Sequence, residues 1–322
     1  MMTQARFHAR VPFPIRLLMS LLTFALVLGA PQDSHAQSPN CAAPLVEGKR
    51  ITVKIEGEGP DVVLIPGLSS PRAVWDATAE RLKSKYRLHL VQVRGFGGDD
   101  AGINVEGPVL EPMMQEVADY IDDCITGAGR PAPAVVGHSL GGLTGLMIAA
   151  RAPQEVGRLM VVDAVPFIGT IFAPGATVEM MKPQAEAMAT AMRAQYGKPK
   201  PAGPVGDPGA ASMAGTMSNT PAGRTAVAGW MRDADPRVSA QLFYDDMTTD
   251  LRGELGQIAA PVTLLYAQDD SALPANAVKA AFEPQYAGVA KFKAQMVPGS
   301  RHFIMLDQPE AFAKALDAFL AE

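Results

Sequence analysis

Hydrophobic and polar positions change their period repeatedly along this chain. "RITVKIEG" (Arg50–Gly57) alternates and ends in glycine, which predicts a strand. "DVVLIPG" (Asp61–Gly67) is continuously apolar, as a strand covered on both faces should be. "RAVWDATAERLKS" places Val74, Ala77 and Leu82 roughly on one face and predicts a helix. "YRLHLVQV" is again a strand. "VLEPMMQEVADYIDDCI" follows as a helix, with Met114, Val117, Ile121 and Ile125 at helical spacing. "APAVVG" and "VGRLMVVDAV" are predicted strands on either side of the helix "LGGLTGLMIAARA".

The rhythm then breaks. From about Pro166 to Asp246 there is no clear strand, and methionine, alanine, proline and glycine dominate. "GKPKPAGPVGDPG" is a loop. Two amphipathic helices fit "ATVEMMKPQAEAMATAMRAQY" and "TPAGRTAVAGWM", with Pro183 interrupting the first. The alternation resumes with the strand "APVTLLYAQDD", a helix near "NAVKAAFEPQY", the strand and loop "KFKAQMVPGSRHF", and the closing helix "PEAFAKALDAFLAE". Strands alternating with helices predict an α/β fold, a mostly parallel sheet flanked by helices. The break predicts a helical insertion, at about 166–246, after the sixth strand or so.

The first forty residues follow different rules. Arg6, Arg10 and Arg16 stand without an acidic residue among them, and an apolar run from Leu17 to Ala30 follows. That run is short for a spanning helix, which needs about 20 apolar residues. Ser34 and Ala36 are spaced as at a signal-peptidase site. The expectation is a signal peptide over residues 1–36, an exported periplasmic or secreted domain over 37–322, and no stable membrane span after cleavage. Export makes an oxidising compartment the setting for Cys41 and Cys124, the only two cysteines, which are then able to pair. Spacing alone does not decide whether they do.

Composition narrows the partners. The 322 residues are 48% hydrophobic and 19% charged, with a net charge of −5 and no basic cluster. Nucleic acid is therefore not an expected partner. No Cys/His ligand cluster is present, so neither metal nor cofactor is expected.

The chemistry gathers around Ser139. "GHSLG" (Gly137–Gly141) matches G-x-S-x-G and lies between a predicted strand and a predicted helix. A serine at such a turn is a nucleophile, and the flanking glycines remove side chains that would strike neighbouring backbone. The alternative is a plain helix cap. A nucleophilic serine needs a base. Of five histidines, His8 and His35 leave with the signal peptide, His89 lies inside a strand, and His138 adjoins the serine in a tight turn. His302 remains, in a loop after the last strand. The acid that orients it is sought at strand ends: Asp269 and Asp270 in "LLYAQDDSALP", with Asp163 in "MVVDAV" as the rival. The Leu140 amide after the serine and the Leu68 amide in "PGLSS" are the expected oxyanion donors.

Together, "IPGLSS", "VRGFGGDD", "GHSLGG", "AQDDSALP" and "SRHFIMLDQPEAF" resemble, in order, the motifs of the α/β-hydrolase family, and in particular its esterase-like branch with a lid. The resemblance covers nearly the whole chain after residue 36. It implies a Ser-Asp-His order and an acid in a G-x-x-D-x-x-x-P setting. Ala267, Asp270 and Pro274 match that spacing, with alanine for glycine, and so favour Asp270. Pro66 stands where a histidine is common, which touches no catalytic step. The implied activity is serine-dependent hydrolysis of a small or medium apolar carboxylic ester. Carbon–carbon hydrolases, cofactor-free haloperoxidases or perhydrolases, and acyltransferases share the same triad. An idle binder of apolar ligands is the alternative from another class. Met180, Met181, Met188, Met192, Met213, Met217 and Met231 suggest a plastic apolar pocket or ordinary helix packing.

Overall fold

The computed structural model describes residues 40–322. The signal-peptide expectation lies outside them. Eight strands form one sheet: β1 (Leu45–Glu47), β2 (Ile51–Glu56), β3 (Asp61–Ile65), β4 (Arg87–Val93), β5 (Ala134–His138), β6 (Arg158–Val162), β7 (Val262–Gln268) and β8 (Phe292–Pro298). Their spatial order is β1-β2-β4-β3-β5-β6-β7-β8. β2 is antiparallel to β1 and β4, and every other pairing is parallel. The three residues of β1 are too few to carry a periodic signal, so the sequence pattern missed that strand.

The helices are α1 (Asp76–Leu82), α2 (Leu110–Ile121), α3 (Leu140–Arg151), α4 (Gly169–Phe172), α5 (Val178–Arg193), α6 (Met213–Met217), α7 (Pro221–Asp233), α8 (Pro236–Thr248), α9 (Ala275–Phe282), α10 (Ile304–Asp307) and α11 (Pro309–Leu320). The sheet is covered on both faces. One apolar cluster joins Val63, Val91, Val135 and Val161 to α2 and α3; the other joins Leu64, Leu90, Val136 and Leu265 to Trp75 and α11. Alternate residues of the same strands divide between these clusters, as the period of two in a strand requires. β3 and β5 are buried almost throughout, which accounts for their unbroken apolar sequences.

Between β6 and β7 the chain forms helices α4–α8 and no strand among the described residues. Pro183 does not interrupt α5, which runs through it. The lost backbone bond is offset by the buried face of Met181, Ala185 and Ala189, with α5 packed along α8. Thr220 caps α7 by accepting the Gly223 amide, and Asp235 caps α8 by accepting the Arg237 amide. The methionines do not share one pocket. Met181 is buried with Phe167, Ala176, Ala185 and Met247, whereas Met180, Met188, Met213 and Met231 are exposed.

At the far end of the sheet Cys41 and Cys124 form a disulfide with Cα atoms 5.3 Å apart. It ties the segment leading into β1 to the turn after α2. No helix of the described residues is long and apolar enough to cross a membrane.

Candidate active site

Ser139 stands alone between the last residue of β5 and the first of α3, with φ 54° and ψ −123°. A left-handed φ at a non-glycine residue is strained and persists only where its surroundings enforce it. Here they do. The Ser139 amide donates to the Val162 carbonyl at 2.9 Å, and the Ser139 carbonyl accepts from Gly142 at 2.7 Å. A Cβ at Gly137 would overlap the Gly141 carbonyl, and one at Gly141 would lie 2.6 Å from the Pro66 carbonyl oxygen. Both glycines thus let the backbones of three segments approach one another.

His302 reaches the same end of the sheet from the loop after β8. Its Nδ1 donates to Asp163 Oδ2 at 2.7 Å. The buried His138 side chain donates from Nε2 to the His302 carbonyl at 3.0 Å, and the two rings lie 4.6 Å apart. Burial, with the neighbouring His302 adding to it, pushes the His138 imidazole well below its usual range, so it stays neutral. Phe303 packs against both rings, and Trp230 from α7 packs on Phe303.

The structure does not bring Asp270 to His302. Asp270 is exposed and accepts from Gln268 Nε2 at 2.7 Å. Asp269 pairs with Arg301 at 2.7 Å. Asp163 takes the place expected for Asp270. The loop after β8 explains the difference. Its Ser300 amide donates to the Gln268 carbonyl at 3.1 Å, so the chain crosses the end of β7 before His302 is held by His138 and Asp163 over β5 and β6. The turn carrying Asp270 is bypassed. Asp163 itself has φ 50°, and its Oδ1 accepts the Ala267 amide at 2.8 Å, so the carboxylate is fixed at both oxygens.

The amides of Leu68 and Leu140 have no hydrogen-bond partner among the described residues. Leu140 opens α3, where backbone donors are unpaired and the helix dipole is positive. Leu68 follows Gly67, where an added Cβ would lie 3.0 Å from the Ser139 Cβ. Ser69 follows with φ 57°, and its Oγ lies 2.8 Å from Ser239 Oγ on α8. Sequence reading missed His138, which donates to the His302 carbonyl, and Ser239 of α8, which bonds Ser69 beside the serine. Only "GHS" carried a signal for the first, as a histidine fixed next to the serine. Among the described residues no group of acidic, histidine or cysteine side chains is arranged to hold a metal.

A serine on a strained strand-to-helix turn, an imidazole oriented by a carboxylate, and unpaired amides beside the serine can together carry nucleophilic acyl transfer. Residues 62–315 match the model of the alpha/beta hydrolase family, and the chain belongs to that family. It is 26% identical over 278 residues to a pimeloyl-[acyl-carrier protein] methyl ester esterase of Nitrosomonas europaea, covering 83% of this chain and 98% of that one. Its fold is similar to that of a thermophilic esterase from Thermogutta terrifontis (TM-score 0.65, 20% identity, 87% of this chain and 98% of that one). It is also similar to that of the enol-lactonase from Burkholderia xenovorans (TM-score 0.64, 20% identity, 87% and 99%).

Proposed function

We propose that the protein is a serine esterase in which Ser139 attacks the carbonyl of a small or medium apolar ester. The observation that carries this reading is the Asp163–His302 hydrogen bond of 2.7 Å, with His302 held against His138, the residue before a serine whose backbone is forced to φ 54°. With Nδ1 donating to Asp163, His302 keeps the lone pair of Nε2 for the Ser139 proton. The proton passes to Nε2 as the Ser139 Oγ–carbonyl carbon bond forms. The Leu68 and Leu140 amides receive the charge that develops on the carbonyl oxygen. His302 then returns the proton to the leaving alcohol, and water releases the acyl group by the same steps in reverse roles. A pimeloyl-[acyl-carrier protein] methyl ester esterase and the two structural relatives support ester chemistry for this fold.

In this reading helices α4–α8 act as a cap over Ser139, and the chain is exported with residues 1–36 removed. The Cys41–Cys124 disulfide supports export, because such bonds persist in oxidising compartments. The test is fluorophosphonate labelling of the purified protein followed by an ester panel of graded acyl length. Labelling at Ser139 with turnover of short and medium esters is the expected result. An unlabelled Ser139, or labelling without hydrolysis of any ester, overturns it.

A further inference from the structure

The loop that carries His302 is held by the helices inserted between β6 and β7 as much as by the sheet. Asp307, the last residue of α10, is buried and sits at the joint. Its Oδ1 accepts the hydroxyl of the fully buried Ser218 at 2.5 Å and the Asn219 amide at 3.2 Å, both in the turn between α6 and α7. The Thr220 amide adds a longer bond to the same oxygen. Asp307 Oδ2 accepts the Arg301 amide, one residue before His302, at 2.9 Å, and shares the Asn219 amide at 3.1 Å. One carboxylate therefore ties the inserted helices to the backbone of the histidine loop. Further bonds run the same way. The Phe303 amide donates to the Met217 carbonyl at 3.0 Å, Asn219 Nδ2 donates to the Gly299 carbonyl at 2.9 Å, and the Arg301 guanidinium donates to the Gly215 carbonyl. The amides on both sides of His302 are thus fixed by this joint, while His138 holds its carbonyl and Asp163 its ring.

A general base has to meet the proton it takes at hydrogen-bond distance, and a misplacement of ~1 Å costs roughly 10²-fold in rate. His302 lies in neither a helix nor a strand, so its place depends on the bonds of its own loop. We propose that Asp307 is a positioning residue for the reaction: through the Arg301 amide and the 218–220 turn it sets where His302 Nε2 meets Ser139. The inference rests on the esterase reading above and deepens it. Asp307 is not itself a catalytic residue, because both its oxygens are taken up by the loop and the turn. The consequence is that the α6–α7 turn acts on the chemical step and not on substrate binding alone. A change at the joint should therefore appear in kcat rather than in KM.

The test is Asp307→Asn in the full-length protein. The substitution keeps the size of the side chain, but either orientation of the new amide sets its NH2 group against an N–H or O–H donor that the carboxylate accepted. With a p-nitrophenyl ester and rates normalised to folded protein, kcat should fall by roughly ten- to hundredfold while KM stays within about twofold. The loss should also depend on the base. In an Asp163→Asn background, where His302 already holds the wrong tautomer, adding Asp307→Asn should lower kcat by less than about twofold. A merely structural role costs the same factor in both backgrounds. Ser218→Ala removes one donor and leaves the Arg301 bond in place. It should lose roughly three- to tenfold in kcat, and it carries the test if Asp307→Asn does not fold. A kcat within about twofold of wild type in the folded variant, a change confined to KM, or an equal loss in both backgrounds would overturn the proposal and leave the esterase reading standing. An unlabelled Ser139 with no ester turnover in the wild type overturns both.

Discussion

Replacing Asp163 by asparagine exchanges one carboxylate oxygen for an NH2 group and should nearly silence the enzyme. In the native site Oδ1 accepts the Ala267 amide and Oδ2 accepts the His302 Nδ1 proton. The Ala267 donor is backbone and cannot turn away, so the asparagine carbonyl oxygen must stay on it. The new NH2 group then faces His302 Nδ1, which has to become the acceptor. The ring proton moves to Nε2, where it blocks uptake of the Ser139 proton. A wrong tautomer of this kind costs about 10⁴ in kcat, equivalent to roughly 5.5 kcal/mol of transition-state stabilisation. Asp270→Asn should change kcat/KM by less than about twofold, because an asparagine oxygen still accepts from Gln268 and the position is exposed. Steady-state hydrolysis of a p-nitrophenyl ester, normalised to folded protein by circular dichroism, measures both. An Asp163→Asn enzyme within tenfold of wild type, or an Asp270→Asn enzyme as impaired as Asp163→Asn, would refute the assignment of the acid.

Four further outcomes are expected. Ser139→Ala should keep the fold and lose nearly all ester turnover, and kcat above roughly a tenth of wild type would exclude Ser139 as nucleophile. Gly141→Ala should destabilise by about 3 kcal/mol, the upper end of the usual cost of overpacking, because the added Cβ meets the backbone carbonyls of Ile65 and Pro66 rather than a movable side chain; a melting temperature like that of wild type would contradict this. Reducing the Cys41–Cys124 bridge, which closes a loop with a sequence separation of 83, should cost up to ~4.5 kcal/mol in the chain-entropy account while leaving the pH profile of hydrolysis unchanged; urea unfolding with and without reductant reads the first and initial rates the second. Burial pushes Asp246 up to about 7 from 3.8, the charge of His302 opposing and that of Asp245 adding. The folded protein therefore holds this proton more tightly than the unfolded chain, and the stability it confers below pH ~4 is lost as pH rises through 7. Asp246→Asn should accordingly gain ~1–3 kcal/mol relative to wild type at pH 8 and little at pH 4, and an equal effect at both pH values would contradict the burial of that carboxyl.

The amino-acid sequence by itself determined the alternation of strands and helices, because the short, β-branched apolar runs at 62–65, 135–136, 159–162 and 262–267 are bounded by turn residues or charges and separated by helix-length amphipathic segments. It also determined the turn at Ser139: glycines at 137 and 141 flank a serine where three backbones converge, and that is a local steric requirement. The proposed base, His302, was reached by elimination, since four of five histidines were accounted for elsewhere. The acid was not. Asp163 and Asp270 both end buried strands, and family spacing favoured Asp270. The choice depends on the path of the loop after β8, which crosses the end of β7 through the Ser300–Gln268 bond and sets His302 above β6. That path is a relation between segments distant in sequence, and no local pattern encodes it. The same holds for Ser239. On α8 it reads as an ordinary polar position of an amphipathic helix, and only the packing of that helix against the loop after β3 brought it to Ser69. The disulfide lies between these cases: two cysteines in an exported chain could pair, but only the fold brought their Cα atoms to 5.3 Å.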